Sequence, residues 1–230
     1  MNYLCLLAKF SNLGFSYYLE QTGITLLIVF LSTLFSYIIG IPLGIILHVT
    51  DKNGLFECKW LNVIIGLIVN ILRSAPFIIL LVTILPAIRA VVGTGTGNLP
   101  FIIALVIAAI PFVARMVESS LKEMDYGVVE ASIAMGASRL RIIFRVIIPE
   151  IKSSLIVGAT ISFATILGYT AMTGTIGAEG LGNVAYSYGY IRNYLDAKLI
   201  SLALLIIIVQ VFQEIGMLIA KKLDHRKKGD

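Results

Sequence analysis

The chain has 230 residues, is 58% hydrophobic and only 13% charged, and carries a net charge of +5. A soluble domain is nearer a quarter charged, so the soluble classes are excluded. The positive balance needs no nucleic-acid partner if the basic residues collect on one face of a membrane. The two cysteines, Cys5 and Cys58, stand in no metal or redox spacing and read as small apolar residues.

The leading residues, MNYLCLLAKFSNLGFSYYLEQ, lack a basic start and a small-residue cleavage site. Residues 1–20 are therefore read as an extracytoplasmic interfacial segment rather than a cleaved signal peptide. The first span is predicted over Gln21–Val49. Ile24 to Leu47 holds no charge, and an uncharged run longer than about 18 residues reads as a transmembrane helix. Leu61–Ile88 follows as a second span interrupted once by Arg73. It is over-long, so one end is expected to project into water. Pro76, three residues after Arg73, is expected to kink this helix and free backbone carbonyls nearby.

GTGTGN at Gly93–Asn98 lacks the lysine of a phosphate-binding loop and follows no strand, so it reads as an outside turn. The remaining spans are predicted at Leu99–Val117, Pro149–Thr175 and Leu199–Ala220, with 221–230 as a basic tail. At about 1.5 Å per residue, each span can cross a hydrocarbon core of about 30 Å. One membrane domain, 21–220, without internal repeat, is the simplest organisation. Arg73 and Glu214 are the ionisable residues best placed inside the membrane, where burial costs about 2.5–3.5 kcal/mol each. They are either snorkelling residues or, for Arg73, part of a pathway or subunit interface. Tyr186, Tyr188, Tyr190 and Tyr194 crowd an outside loop, as an interfacial belt or as a contact surface. His48 and His225 stand alone near span ends and read as interfacial.

Five spans put the termini on opposite faces. One side collects Lys52, Lys59, Lys122, Arg139, Arg141, Arg145, Lys152, Lys221, Lys222, Arg226, Lys227 and Lys228; the other has only Lys9, Arg89, Arg192 and Lys198. Arg73 and Arg115, within or at the edge of spans, are left out of this count. Basic residues favour the cytoplasm, so the amino terminus is expected outside and the carboxyl terminus inside.

The same count places EASIAMGASRLRIIFRVIIPE, Glu130–Glu150, in the cytoplasm. Asp125 can cap a helix starting near Tyr126. Val129, Ile133, Gly136 and Leu140 then recur at helical spacing, giving one apolar face. Gly136 permits a left-handed turn that splits the segment into two short helices. Pro149 suits the first position of span four, and Glu150 complements the helix end. The pattern alone fits either a helix lying on the membrane surface or a knob that docks another protein.

Glu130-Ala131-Ser132, then Gly136, then Val146-Ile147-Ile148-Pro149 resembles the cytoplasmic signature of bacterial ABC-importer permeases, E-A-A, three residues, G, nine residues, I-x-L-P. Ser132, Val146 and Ile148 are small departures. RSAPFIILL at Arg73–Leu81 and GYTAMTGTIGAEGLGNVAYSYGY at Gly168–Tyr190 are similar to the methionine-uptake branch, and the resemblance covers most of the chain from about Gln21. It implies an all-α integral membrane protein with the type I ABC importer permease fold. In that family the signature is a coupling helix, about 126–145 here, that docks on an ATP-hydrolysing subunit. Glu130, Ala131, Ser132, Gly136, Ala137 and Pro149 would carry coupling. Tyr169, Thr170 and Met172, with Arg73 and Pro76, would line or gate the pathway. The implied partners are a second copy of this chain, two ATP-binding subunits and an extracytoplasmic methionine-binding lipoprotein. Localisation in the bacterial inner membrane follows. ATP and Mg²⁺ would sit on the partner, since no Walker-type G-x-x-x-x-G-K-[ST] occurs here; no cofactor is expected on this chain. A small channel, an ATP-independent transporter or a non-transporting membrane protein are the competing classes.

Overall fold

The computed structural model describes residues 13–52, 54–124 and 127–223, which hold helices and short connections and no β-strand. Helix α1 (Phe15–Val49) is followed by α2 (Lys59–Ser74) and α3 (Phe77–Val92), then by α4 (Asn98–Lys122). The segment after α4 carries α5 (Gly127–Ala134), α6 (Arg139–Ile142), a π turn at Ile143–Ile147 and α7 (Ile148–Glu150). Helix α8 (Lys152–Tyr169) runs on as a 3₁₀ segment, Thr170–Ile176. Short α9 (Leu181–Asn183), a π segment at Val184–Ile191 and α10 (Leu195–Leu223) complete the chain. Four of these runs are long and apolar enough to cross a membrane, or five when the bent α2–α3 pair counts as one.

Helix α1 starts at Phe15, six residues before the predicted Gln21, so the expected interfacial segment shortens; residues 1–12, with Cys5 and Lys9, lie outside the described part. Helix α1 buries Gln21, Thr25, Ser32, Ser36, Gly40 and Gly44 and exposes Leu27, Phe30, Leu34 and Ile38. Ile28, Val29 and Leu47 are buried as well; with lipid as apolar as leucine, the small and hydrogen-bonding residues are what favour close helix contact. The hydroxyls of Thr25 and Ser36 donate to the carbonyls of Gln21 and Ser32 at 2.8 and 2.7 Å, which satisfies them within the helix. Gly40 and Gly44 let α4 come close: a Cβ on Gly44 would stand 2.5 Å from the Ala114 carbonyl oxygen. Helix α4 is the central element, with 56% of its most apolar window buried, whereas α10, with 6%, is peripheral.

The second span is a correction. Instead of one over-long helix with a projecting end, α2 and α3 meet at 111°. Ala75 and Pro76 are extended, with ψ of 128° and 132°. Proline disfavours helical backbone in the residue before it and cannot donate to the preceding turn. Pro76 therefore breaks the span rather than kinking it.

Beyond α8, the hydroxyls of Thr170, Thr173 and Thr175 donate to the carbonyls three residues back, at 2.6, 2.9 and 2.7 Å. Each competes for a carbonyl that an α-helix would use, consistent with the tighter 3₁₀ winding. The chain then turns at Gly177 and Gly180, both at positive φ. Two side chains of α1 close the start of the next helical run: Gln21 Oε1 accepts the Gly180 N–H at 2.7 Å and Thr25 Oγ1 accepts the Leu181 N–H at 2.8 Å. Those amides have no partner inside their own helix. The tyrosine-rich stretch, expected as a loop, is helical over Val184–Ile191, and Tyr188 packs edge-on to Tyr17.

Candidate functional site

The segment between α4 and α8 is built around Gly136, at φ 77°. Its N–H donates to the Ile133 carbonyl at 2.9 Å and the Ala137 N–H to the Ser132 carbonyl at 3.1 Å. This paired closure ends α5 and requires a left-handed residue at Gly136. The split expected from the sequence is therefore present, although Asp125 and Tyr126 lie outside the described residues. The single apolar face is a correction. Val129 is buried, but Ile133, one turn later on the same helix, is exposed, as is Met135; beyond the Gly136 turn, Leu140 is exposed and Ile142 buried.

The inward residues hold the segment to the membrane helices. Val129, Ile142, Ile143, Ile147 and Ile151 share a buried cluster with Ile45 and Val49 of α1 and with Val113, Val117 and Leu121 of α4. Arg139 lies over the Phe56 ring, 5.2 Å from its centroid, which adds a tie to the loop after α1. Outward, Met135 is 80% exposed, and Ile133, Leu140 and Phe144 of the same segment are exposed too. Glu130, Ala131, Arg139, Arg141 and Arg145 are also exposed, and Ser132 is buried, its hydroxyl donating to the Val128 carbonyl. An exposed apolar crest with a charged rim is suited to a partner with a complementary groove.

Pro149 does not start the fourth span. It lies inside a helical run from Arg139 to Tyr169, relaxed only at Ile151. Proline cannot bond to the carbonyl four residues back, and the wider π turn at Ile143–Ile147 is one way a helix accommodates such a defect. Leu140 and Phe144 thus lie on the run that leads into α8, whereas Ile133 and Met135 lie before the Gly136 turn.

Next to the segment lies an ionic group that sequence reading missed. Glu118, 5% exposed, accepts from Arg115 through Oε2 and from Lys122 Nζ at 2.8 Å through Oε1. Lys122 also reaches Asp51 at 3.3 Å. The Lys52 N–H donates to Asp51 and, with Lys122, holds that carboxyl below its ordinary range. A cleft of about 580 Å³ between the α1 end and α5 includes Asp51, Lys122 and Glu130 in its lining. The three-and-four spacing of Arg115, Glu118 and Lys122 was a legible signal, but Arg115 had been set aside as a span-edge residue.

At the membrane level, Tyr169 stacks on Phe77 with centroids 4.4 Å apart and planes 12° apart. This brings the end of α8 against the α2–α3 break. Thr170 is buried and Met172 half-buried in the larger core cluster. A Cβ on Gly182 would overlap the Thr170 carbonyl, so α9 lies directly on the 3₁₀ segment. Arg73 and Pro76 are exposed at the break; Arg73 ends α2, where a cation complements the helix dipole. Glu214 is exposed on α10.

Residues 40–229 match the family described as binding-protein-dependent transport system inner membrane component. The chain is 42% identical to the probable D-methionine transport system permease protein MetI of Vibrio cholerae, over 96% of this chain and 98% of that one. It is 43% identical to the methionine import system permease protein MetP of Bacillus subtilis, over 79% and 82%. A solved structure of the MetNI methionine ABC transporter, described as inward facing, matches with a TM-score of 0.89 at 38% identity, over 98% of this chain and all of that one.

Proposed function

The chain belongs to the binding-protein-dependent transport system inner membrane components, and from that premise we propose that it is the pathway-forming subunit of an ATP-driven importer that carries methionine into the cytoplasm. It is a multi-pass inner-membrane permease subunit rather than an enzyme in its own right. Two copies form the pathway on a two-fold axis. Two ATP-binding subunits, holding ATP and Mg²⁺, engage the crest of Ile133, Met135 and Leu140, and an extracytoplasmic methionine-binding lipoprotein delivers substrate on the other face. ATP-driven closure of those subunits moves the crest, and the helical run from Arg139 into α8 converts the movement into alternating access.

The observation that carries this reading is the doubly bonded turn at Gly136, which presents exposed Met135 and Leu140 while Val129 and Ile142 anchor the segment to α1 and α4. A helix lying free on the membrane surface would bury its apolar side chains in lipid rather than against α1 and α4. The names of relatives above 40% identity over most of this chain support methionine as the substrate. Liposomes containing this chain, the ATPase and the binding protein should accumulate methionine only when ATP is supplied. Accumulation without ATP would identify a channel or secondary transporter.

Orientation follows from the basic residues: amino terminus outside, carboxyl terminus inside. Cys58 is exposed in the loop before α2, so in a Cys5→Ser chain it should react with a membrane-impermeant thiol reagent only after the cells are opened. Reaction in intact cells would invert the topology.

A further inference from the structure

Helix α2 is thinly attached: Val69 is its one buried residue. At its start, Asn62 donates to the Leu47 carbonyl at 2.6 Å and so holds it to α1. Its middle is held by Arg115, whose Nη2 donates 3.1 Å to the Gly66 carbonyl while Nη1 donates to Glu118. Arg115 is the only charged residue in α4 before Glu118, on a helix where charge is costly. Both Glu118 oxygens are engaged, one by Arg115 and one by Lys122. Val117 and Leu121, on either side of Glu118, sit in the cluster beneath the Gly136 segment. A buried ion pair is weak evidence for stability and better evidence for a specified geometry.

We infer that Glu118 is a positioning residue that transmits movement of the Gly136 segment to the broken second span, by fixing the Arg115 fork that holds Gly66. This rests on the coupling reading above. Force enters α4 at Val117 and Leu121, and the Glu118–Arg115–Gly66 chain carries it across to α2, whose far end is the break at Pro76. Arginine is needed because a single lysine ammonium cannot span the carboxylate and the carbonyl in the same fork geometry.

The test uses the complete importer in liposomes, with Cys5 and Cys58 replaced by serine. Glu118→Gln should lower methionine uptake per ATP hydrolysed by about tenfold, the order of one charge-assisted hydrogen bond, while hydrolysis continues. Arg115→Lys, which keeps the charge, should show the same loss. Spin labels report the path. In the parent, an ATP analogue should change both the Ser138–Ser119 and the Val63–Ser119 distances. In Glu118→Gln, the first change should persist and the second should vanish. Normal uptake per ATP, or a preserved Val63–Ser119 change, overturns the inference. If Ser138–Ser119 ignores the nucleotide in the parent, the coupling reading is what fails. The brace is then judged without nucleotide, where an unbroadened Val63–Ser119 distribution in Glu118→Gln overturns it.

Discussion

Gly136→Leu should leave the chain inserted and assembled but lower ATP-driven methionine uptake about five- to thirtyfold, the effect of the roughly 1–2 kcal/mol that a left-handed backbone costs a residue with a branched side chain. The penalty is conformational: a Cβ at Gly136 meets nothing within 4 Å, so no neighbour is displaced. The chain relieves the strain by giving up the bonds from Gly136 and Ala137 to Ile133 and Ser132. Met135 and Leu140 then no longer project as one crest. Gly136→Asn is the informative companion, because asparagine enters the left-handed region more readily. It should retain most of the uptake. The assay is uptake and ATP hydrolysis measured together in liposomes, with purified assembly as the control for folding. Full uptake by Gly136→Leu would show that the turn does not set the docking geometry.

Met172→Ala should open a leak for small solutes in the absence of ATP while dimer assembly persists. Met172 is the flexible, bulky apolar side chain in GYTAMTG, on a 3₁₀ segment whose backbone is tied by three threonine hydroxyls and pressed against Gly182. The backbone is thus tied at several points while methionine has three rotatable side-chain bonds, a pairing suited to filling and vacating a narrow gap. Its neighbour Tyr169 connects the same segment to the α2–α3 break through Phe77. Truncation removes volume without removing those backbone ties, so the expected result is loss of closure rather than loss of fold. Release of a trapped small solute from nucleotide-free liposomes measures it. A wild-type leak rate with normal coupled uptake would assign Met172 to ordinary packing.

The class, the span positions and the left-handed turn at Gly136 were determined by the sequence itself. Uncharged length, glycine chemistry and the bias of Lys and Arg act locally or through the membrane, and need no knowledge of neighbours. Boundaries drifted at Phe15 and at Pro149 because tertiary contacts extend helices past local signals; proline in particular was absorbed by a π turn. The tertiary structure decided that the bend at Pro76 reaches 111°, that Val129 is buried while Ile133, one turn later on the same helix, is exposed, and that the tyrosine stretch is helical. It alone joined Arg115 to Gly66, 49 residues away in the chain. Periodicity records which residues share a helix face, but a side chain that bonds the backbone of another helix leaves no periodic trace. Where lipid covers the outside and small residues the inside, the burial of a charge such as Glu118 becomes visible only once the helices are packed.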